Sequence, residues 1–236
     1  MKILGIESSG LTASIAVLSD DVIIAEYTTN FKKTHSETLL PMIAEVMDRI
    51  GIDINEMDYI AISEGPGSFT GLRIGAATAK GLGLATGKEL VSVSTVKALC
   101  YNLYNVKGVI CPIMDAKREQ VYTGIFEYES DELKTLFDTD AVPVTEIIKK
   151  LNEIGKEVTF LGDGVPVYKD IIKDSIKVPY HYAPANLARQ SAASVCVLAA
   201  DMIKEGKTVD AAMMRPEYLR LSQAERERNE RMGQNI

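Results

Sequence analysis

The chain has 236 residues, 46% of them hydrophobic and 25% charged, which is typical of one large folded domain or two small ones. A net charge of −7 argues against tight nucleic-acid binding by this chain alone, because neutralisation of phosphate charge dominates such affinity. We expect no membrane segment, since no apolar run approaches roughly 18 residues, and the widely spaced cysteines predict reduced thiols and a cytoplasmic protein.

The N-terminal part of the chain predicts three successive strands followed by alternating helices and strands. The predicted elements are strands at 2–8, 13–18 and 22–28, a helix at 35–50, a strand at 59–63, a helix at 68–84, a strand at 90–93 and a helix at 96–104. The helix at 35–50 begins with a capping-box sequence at 34–37, and Pro41 inside it should kink the helix or shift its regular part downstream. This order of elements is typical of a mixed α/β fold.

The pattern partly repeats after a predicted hinge at 105–108. Strands are predicted at 109–114, 120–128, 134–139 and 158–161, and helices at 144–153, 167–175 and 185–205. The repetition predicts a duplicated architecture, with one subdomain at 1–105, a trimmed second subdomain at 106–221 and a charged tail at 222–236 that we expect to be disordered. Whether the helix at 185–205 packs back on the first subdomain stays open.

A stripe of small residues runs along the predicted helix at 68–84. Gly71, Gly75, Ala79 and Gly83 recur every four residues and therefore share one face of the helix. Each glycine costs about 1 kcal/mol of helix stability relative to alanine, so something must approach this face closely. Two interpretations stay open: the helix packs tightly on its own sheet, or the stripe is a flat face against which helices of another chain pack.

Acidic residues end the first strand of each predicted subdomain. Glu7, followed by Ser8, stands where actin-like ATPase and kinase folds keep an acidic residue for magnesium-bound phosphates, although a polar strand end is an equally good interpretation. Asp115 occupies the equivalent place. It is followed by Lys117 and Arg118 instead of glycines, and these side chains either hold an anion or form a solvated hairpin turn.

Other chemical motifs are sparse. Gly162 and Gly164 lie between a strand and a helix, where they either face an adenosine or simply form a glycine turn, and the turn is favoured. The two histidines, His35 and His181, are 146 positions apart, so no metal site is predicted. No nucleophile–base constellation can be assembled from the sequence.

Five sequence blocks, taken together and in order, resemble the TsaB (YeaZ) family. They lie at 3–9 (ILGIESS), 34–41 (THSETLLP), 65–75 (GPGSFTGLRIG), 114–122 (MDAKREQVY) and 216–220 (PEYLR). The block at 65–75 is specific in both composition and spacing, and the resemblance covers almost the whole chain.

The resemblance implies an actin-like ATPase superfamily (ribonuclease H-like) fold and a non-catalytic subunit with no cofactor of its own. Such chains pair with a catalytic paralogue, the TsaD-type protein, and with a TsaE-type ATPase, so ATP and metal are implied on the partner proteins. The assembly transfers a threonylcarbamoyl group to N6 of the adenosine next to the anticodon, in tRNAs reading codons that begin with A. This chain would meet tRNA only through the complex.

The resemblance also places the pairing surface, for the TsaD-type protein or for a homodimer, on the predicted helices at 35–50 and 68–84. The residues implied in this contact are His35, Leu39, Leu40, Ile43, Val46, Gly71, Leu72, Ile74, Gly75 and Ala79. TsaD-type chains carry a His-x-x-x-His metal pair after the strand that follows the glycine-rich helix, whereas the segment at 93–99 here contains no histidine.

An autonomous actin-like ATPase or small-molecule kinase is the alternative function. It would use Glu7 and Asp115 around Mg-ATP, with the two glycines at 162 and 164 near the adenosine. In the favoured interpretation the same positions, with Ser8, Lys117 and Arg118, form a vestigial nucleotide cleft. Glu7 stands where TsaB-like chains often have Asp and TsaD-like chains have Glu, which leaves weak nucleotide binding open.

Overall fold

Two five-stranded β-sheets with the same strand order form the framework of the chain, whose computed structural model describes residues 1–31 and 34–220. The first sheet contains β1 (Lys2–Glu7), β2 (Ala13–Ser19), β3 (Val22–Thr29), β4 (Tyr59–Gly65) and β5 (Glu89–Ser94). Its order is β3-β2-β1-β4-β5. The first three strands pair antiparallel, because short turns connect them, and β1, β4 and β5 pair parallel through helical crossovers.

The second sheet repeats this plan. It contains β6 (Val109–Asp115), β7 (Gln120–Glu129), β8 (Glu132–Pro143), β9 (Val158–Leu161) and β10 (Tyr180–Tyr182). Read from β8, its order is β8-β7-β6-β9-β10, with β6, β7 and β8 antiparallel and β6, β9 and β10 parallel. The α/β fold class with two related subdomains, predicted from the repeated element pattern, is therefore confirmed. The short strand β10 was not predicted.

In the described residues, six α-helices cover the sheets. They are α1 (His35–Ile50), α2 (Phe69–Thr86), α3 (Thr95–Cys100), α4 (Val144–Ile154), α5 (Val165–Ser175) and α6 (Ala192–Lys204). The helix α1 has the predicted bounds, and Pro41 lies within it without ending it. Its predicted capping box is wrong, because the Thr34 side chain makes no capping hydrogen bond.

The two faces of the first sheet are covered by different helices. Alternation of side chains along β1 sends Leu4 and Ile6 into a core with α1 and α2, and Ile3 into a core with α6. The helix α6 thus packs back on the first sheet, which the sequence left open. It begins at Ala192, later than predicted, and lies so close to β1 that a Cβ on Gly5 would come within 2.5 Å of Cys196 Sγ.

Three further predictions concern the cysteines, membrane-spanning helices and the charged tail. All three cysteines are buried and unpaired. Within residues 1–31 and 34–220, no helix is both long enough and apolar enough to cross a bilayer. The predicted tail at 222–236 lies outside the described residues.

Candidate functional site

The glycine stripe of α2 faces the chain's own first sheet. A Cβ on Gly71 would collide with the Ser8 carbonyl oxygen, and a Cβ on Gly75 with Ser8 Oγ. Gly75 would also approach Ile62 Cδ1 of β4 at 3.0 Å. Tight packing on its own sheet, the first of the two interpretations, is therefore correct, because only glycine allows α2 to lie this close to the end of β1.

Most of the residues predicted to touch a partner consequently belong to the core. Leu72 is 1% exposed, and the other residues of the implied contact that are buried with it are Leu39, Ile43, Val46, Gly71, Gly75 and Ala79. Ile43 reaches the floor of a surface groove, but the rest pack inward. Leu39, Val46, Gly71, Leu72, Gly75 and Ala79 face inward in this chain, so they would support a partner surface from beneath, and the predicted contact itself stays a prediction.

The outward faces of α1 and α2 form a continuous surface without charge at its centre, here called the outer helix face and made of Leu40, Ala44, Ile74, Ala77, Thr78, Gly81 and Leu82. Leu40 is 55% exposed, and the space around Gly81 is open. A groove of about 490 Å³ lies beside α1, lined by apolar side chains that include Leu40, Met47 and Leu82. Of the predicted contact residues, Leu40 and Ile74 belong to this face.

Lys80 is the one charged residue of α2 after Arg73, and it does not charge the outer helix face. Its ammonium group donates to the carbonyl oxygens of Ala212 and Met214, each at 3.0 Å. The C-terminal segment therefore holds the Lys80 ammonium group, which keeps its charge, at backbone carbonyl groups.

His35 has a structural position at the start of α1. Its Nε2 lies 2.9 Å from the carbonyl oxygen of Gly10 and must donate to it, since a carbonyl only accepts. Its Cδ2 would lie 3.2 Å from a Cβ on Gly71. His35 thus ties α1 to the β1–β2 turn and packs under α2, so it positions the two helices relative to each other.

The second candidate site is a cleft of about 710 Å³ between the two halves of the chain. Residues from the β1–β2 turn, the start of α2, the end of β6 and the C-terminal segment line it. They include Ser9, Gly67, Phe69, Thr70, Asp115, Lys117, Asp163, Tyr218 and Arg220. Asp163 was not predicted as a member; it follows the short strand β9, and only the fold brings it to Asp115.

Glu7 ends β1 but lies beneath the cleft, only 1% exposed. Its carboxylate accepts hydrogen bonds from the backbone amide of Ser9 at 2.6 Å and from Ser9 Oγ at 2.5 Å. Burial raises the pKa of Glu7 to about 7, and the hydrogen bonds from Ser9 only partly offset this. Ser8 is fully buried, and its hydroxyl donates to the Gly71 carbonyl at 3.0 Å.

Asp115 ends β6 and is occupied by its own neighbours. Its carboxylate accepts from the Lys117 amide at 2.8 Å, from Lys117 Nζ at 2.5 Å and from the Tyr168 hydroxyl at 2.9 Å. Burial pushes the pKa of Asp115 upward, but these hydrogen bonds outweigh it and hold the pKa below the ordinary value. Lys117, Arg118 and Glu119 all adopt left-handed φ, between 56° and 64°, so the turn forms without the expected glycines.

Several groups of the cleft are engaged by contacts within the chain. A Cβ on Gly162 would collide with the Ile113 carbonyl oxygen, so this glycine is needed for packing against β6, as the favoured interpretation held. The amide of Gly164 already donates to the same carbonyl at 2.8 Å. Lys117 is bound to Asp115, and Tyr218 and Arg220 stand in the remaining space.

Comparison with known proteins gives the chain its family. The family model for "TsaD: tRNA N6-adenosine threonylcarbamoyltransferase" matches residues 22–228. The "tRNA threonylcarbamoyladenosine biosynthesis protein TsaB" of Bacillus subtilis (strain 168) is 32% identical over 95% of this chain and 96% of its own length. The protein of the same name from Escherichia coli (strain K12) is 27% identical, over 93% and 95%.

Solved structures agree on the fold. "YeaZ from Pseudomonas aeruginosa" superposes with a TM-score of 0.76 at 22% identity, over 92% of this chain and 99% of that chain. A second crystal structure, described as similar to "peptidase YEAZ from Pseudomonas aeruginosa", superposes with a TM-score of 0.80 at 24% identity, over 93% and 99%.

Proposed function

The chain belongs to the TsaB (YeaZ) family, and we propose that it is a non-catalytic, activating subunit in the biosynthesis of tRNA threonylcarbamoyladenosine. It pairs with a TsaD-type catalytic protein through the outer helix face of α1 and α2. The observation that carries this proposal is the patch of small and apolar residues at the centre of the outward side of these two neighbouring helices, beside an open groove lined mainly by apolar side chains. Such a face on a water-exposed surface is typical of a protein interface.

The chemistry of the cleft supports a non-catalytic role. Glu7 is buried against Ser9 and Asp115 is bound to Lys117, so neither carboxylate is available to a reacting group. Among residues 1–31 and 34–220, no three His, Cys, Asp or Glu side chains come together as a metal site. The segment at 93–99, where TsaD-type chains carry two histidines, contributes none. These contacts of Glu7 and Asp115 count against the alternative, an autonomous Mg-ATP-dependent enzyme.

The outer helix face also bears on the other proposed partners, which are a second copy of the chain, a TsaE-type ATPase and tRNA. A second copy of the chain would present the same outer helix face, so a homodimer and the TsaD-type pair would compete for it. A TsaE-type ATPase would join the assembled pair and bring the nucleotide, and tRNA would be bound by the complex, since this chain is acidic.

Light scattering after gel filtration tests the proposal, with the chain alone and mixed with the TsaD-type protein of the same organism. We expect a new species containing both proteins. Gly81→Glu places a carboxylate at the centre of the outer helix face, in open space, and should abolish this species while the variant stays folded.

Val197→Glu is the matched control. Val197 is 39% exposed on α6, which covers the opposite side of the first sheet, so this variant should pair normally. Pairing of the Gly81→Glu variant at wild-type strength would show that the outer helix face is not the interface. Independent elution of the two wild-type proteins would remove the subunit function itself.

A further inference from the structure

We propose that the C-terminal strap, residues 214–220, is an internal tie that takes the place of a ligand in the cleft. It joins the two halves of the chain across the cleft, so their closed arrangement depends on the chain's own C-terminal segment and not on a bound small molecule. The proposal concerns the chain by itself and does not depend on which partner it has.

The strap is anchored firmly on the first half. Met214, at its start, is 2% exposed and lies in the core shared with α1 and α2. The two carbonyl bonds from Lys80 hold residues 212 and 214 along α2. Just before the strap, Val209 pairs with Leu90 of β5 through backbone hydrogen bonds of 2.9 Å in both directions. The segment therefore runs back along α2 towards its N-terminus.

The middle of the strap is fitted to the end of β4. The amide of Glu217 donates to the Glu64 carbonyl at 2.7 Å. Gly65 has φ of 130° and would collide with the Glu217 carbonyl oxygen if it carried a Cβ. The close passage of the strap thus explains why a glycine is needed at the end of β4, without a bound phosphate.

An aromatic sandwich then fixes the strap over the start of α2. The rings of Tyr218 and Phe69 lie 4.8 Å apart, and the Arg73 guanidinium lies 3.9 Å from the centre of the Phe69 ring. Arg73 Nε also donates to the Tyr218 hydroxyl at 3.2 Å. Three side chains hold one another in place at the mouth of the cleft, where the first turn of α2 begins.

The last residue of the strap reaches the second half. The Arg220 guanidinium donates to the carbonyl oxygen of Ala116, and Nη1 lies 3.5 Å from that of Lys117. Both carbonyls belong to the left-handed turn after β6, which therefore presents acceptors to the strap at the place where a phosphate-binding turn would present amide donors.

The strap and the hinge act on opposite sides of the chain. On the hinge side, the halves share an apolar cluster in which Leu99 of α3 packs with Ile110 and Phe126 of the second sheet. On the cleft side, the strap makes the connection through Arg220. Contacts on both sides restrict rotation of one half against the other, which a hinge alone would allow.

Two truncations distinguish the effect of the strap from the effect of the residues that follow it. Ending the chain after Arg215 removes the connection, whereas ending it after Leu221 keeps it. Spin labels at Val197→Cys on α6 and Lys173→Cys on α5, both exposed helix positions, report the distance between the halves. We expect a broader and longer distance distribution only for the shorter chain. Hydrogen exchange at 116–119 should be about tenfold faster in it.

Arg220→Ala tests the tie without truncation and guards against misfolding of the shorter chain. It should reproduce the broadened distribution while the strap stays on the first half, so amides of α2 keep their protection. Mg-ADP added to the intact chain should leave the distances unchanged. Unchanged distances in both the shorter chain and the Arg220→Ala variant, or closure of the intact chain by Mg-ADP, would overturn the proposal.

Discussion

Glu7 and Asp115 occupy equivalent positions in the two halves of the chain, and their environments are opposite. Each is the last residue of the first strand of its sheet, β1 or β6. Glu7 is buried and the pKa of its carboxyl is raised to about 7, while Asp115 is bound to a lysine and its pKa is lowered. The duplicated topology has thus kept the two acidic positions, although neither is left free to act on a ligand.

The buried Glu7 carboxyl should make the protein less stable as the pH rises. Its folded pKa of about 7 lies above the ordinary value of 4.5, so the native state binds more protons than the unfolded state between these values. The contribution of Glu7 to the free energy of unfolding is then fully present below about pH 4.5 and is lost as the pH rises through 7.

Glu7→Gln removes this titration, and we expect it to stabilise the protein at pH 8 by up to about 3 kcal/mol, with little change at pH 5. Urea denaturation at both pH values measures the effect, and exposed Glu89→Gln is the control. An equal effect of Glu7→Gln at pH 5 and pH 8 would contradict the assignment.

Two glycines of α2 should respond in opposite ways to the same substitution. Gly75→Ala brings a Cβ into Ser8 and should destabilise the protein by about 1–3 kcal/mol, as overpacking does. Gly81→Ala adds a methyl group in open space on a helix and should stabilise it by about 0.5–1 kcal/mol. The melting temperatures of both variants decide whether the stripe faces inward. A stabilising Gly75→Ala and a destabilising Gly81→Ala would mean that it faces outward. Gly75→Leu, which places a still larger side chain at the same buried position, should not fold.

The N-caps of α6 and α1 provide a second matched pair. Ser191 accepts from the amides of Ala193 and Ser194, so Ser191→Ala should cost about 1 kcal/mol. Thr34 precedes α1 without a side-chain capping bond, and Thr34→Ala should therefore change stability by only a few tenths of a kcal/mol. Chemical denaturation compares the two, and a larger loss at Thr34 would mean that it caps α1 in solution.

Lys80 should contribute to stability through the segment that it holds. Lys80→Met keeps the aliphatic stem but leaves the carbonyls of Ala212 and Met214 without their donor, which should cost about 1–2 kcal/mol. Exposed Lys107→Met is the control for loss of a charge. In the Lys80→Met variant, the amides of Val209 and Leu90 should be the first to lose protection from hydrogen exchange. Unchanged protection of these two amides would show that Lys80 does not hold the C-terminal segment.

Local patterns were sufficient to predict most of the elements and their duplication. Short apolar runs bounded by polar residues located β1, β2 and β9, and helical periodicity with Gly51 at the end located α1. The acidic ends of β1 and β6 were also visible, because they fall at the same point of a repeated pattern. These features depend on neighbours within a few residues, which the sequence shows directly.

The direction of the glycine stripe was not determined by the sequence. On α2 the inner face carries Gly71 and Gly75, and the outer face carries Ala77 and Gly81 with Arg73 as its one charged residue, so few of the charges that normally mark the exposed side of a helix are present. The pattern therefore showed that a close approach exists, but only the position of Ser8 beneath α2 shows which chain makes it.

The sequence by itself determined the family, the two related sheets and the helices that carry the outer helix face. The tertiary structure alone decided that α6 returns to the first sheet, that Asp163 joins the cleft and that residues 214–220 run along it to the second half. These contacts join residues far apart in the chain, such as Arg220 and Ala116. These contacts form only when complete sheets and helices pack together. Hydrophobic periodicity is a local property, so it does not predict them.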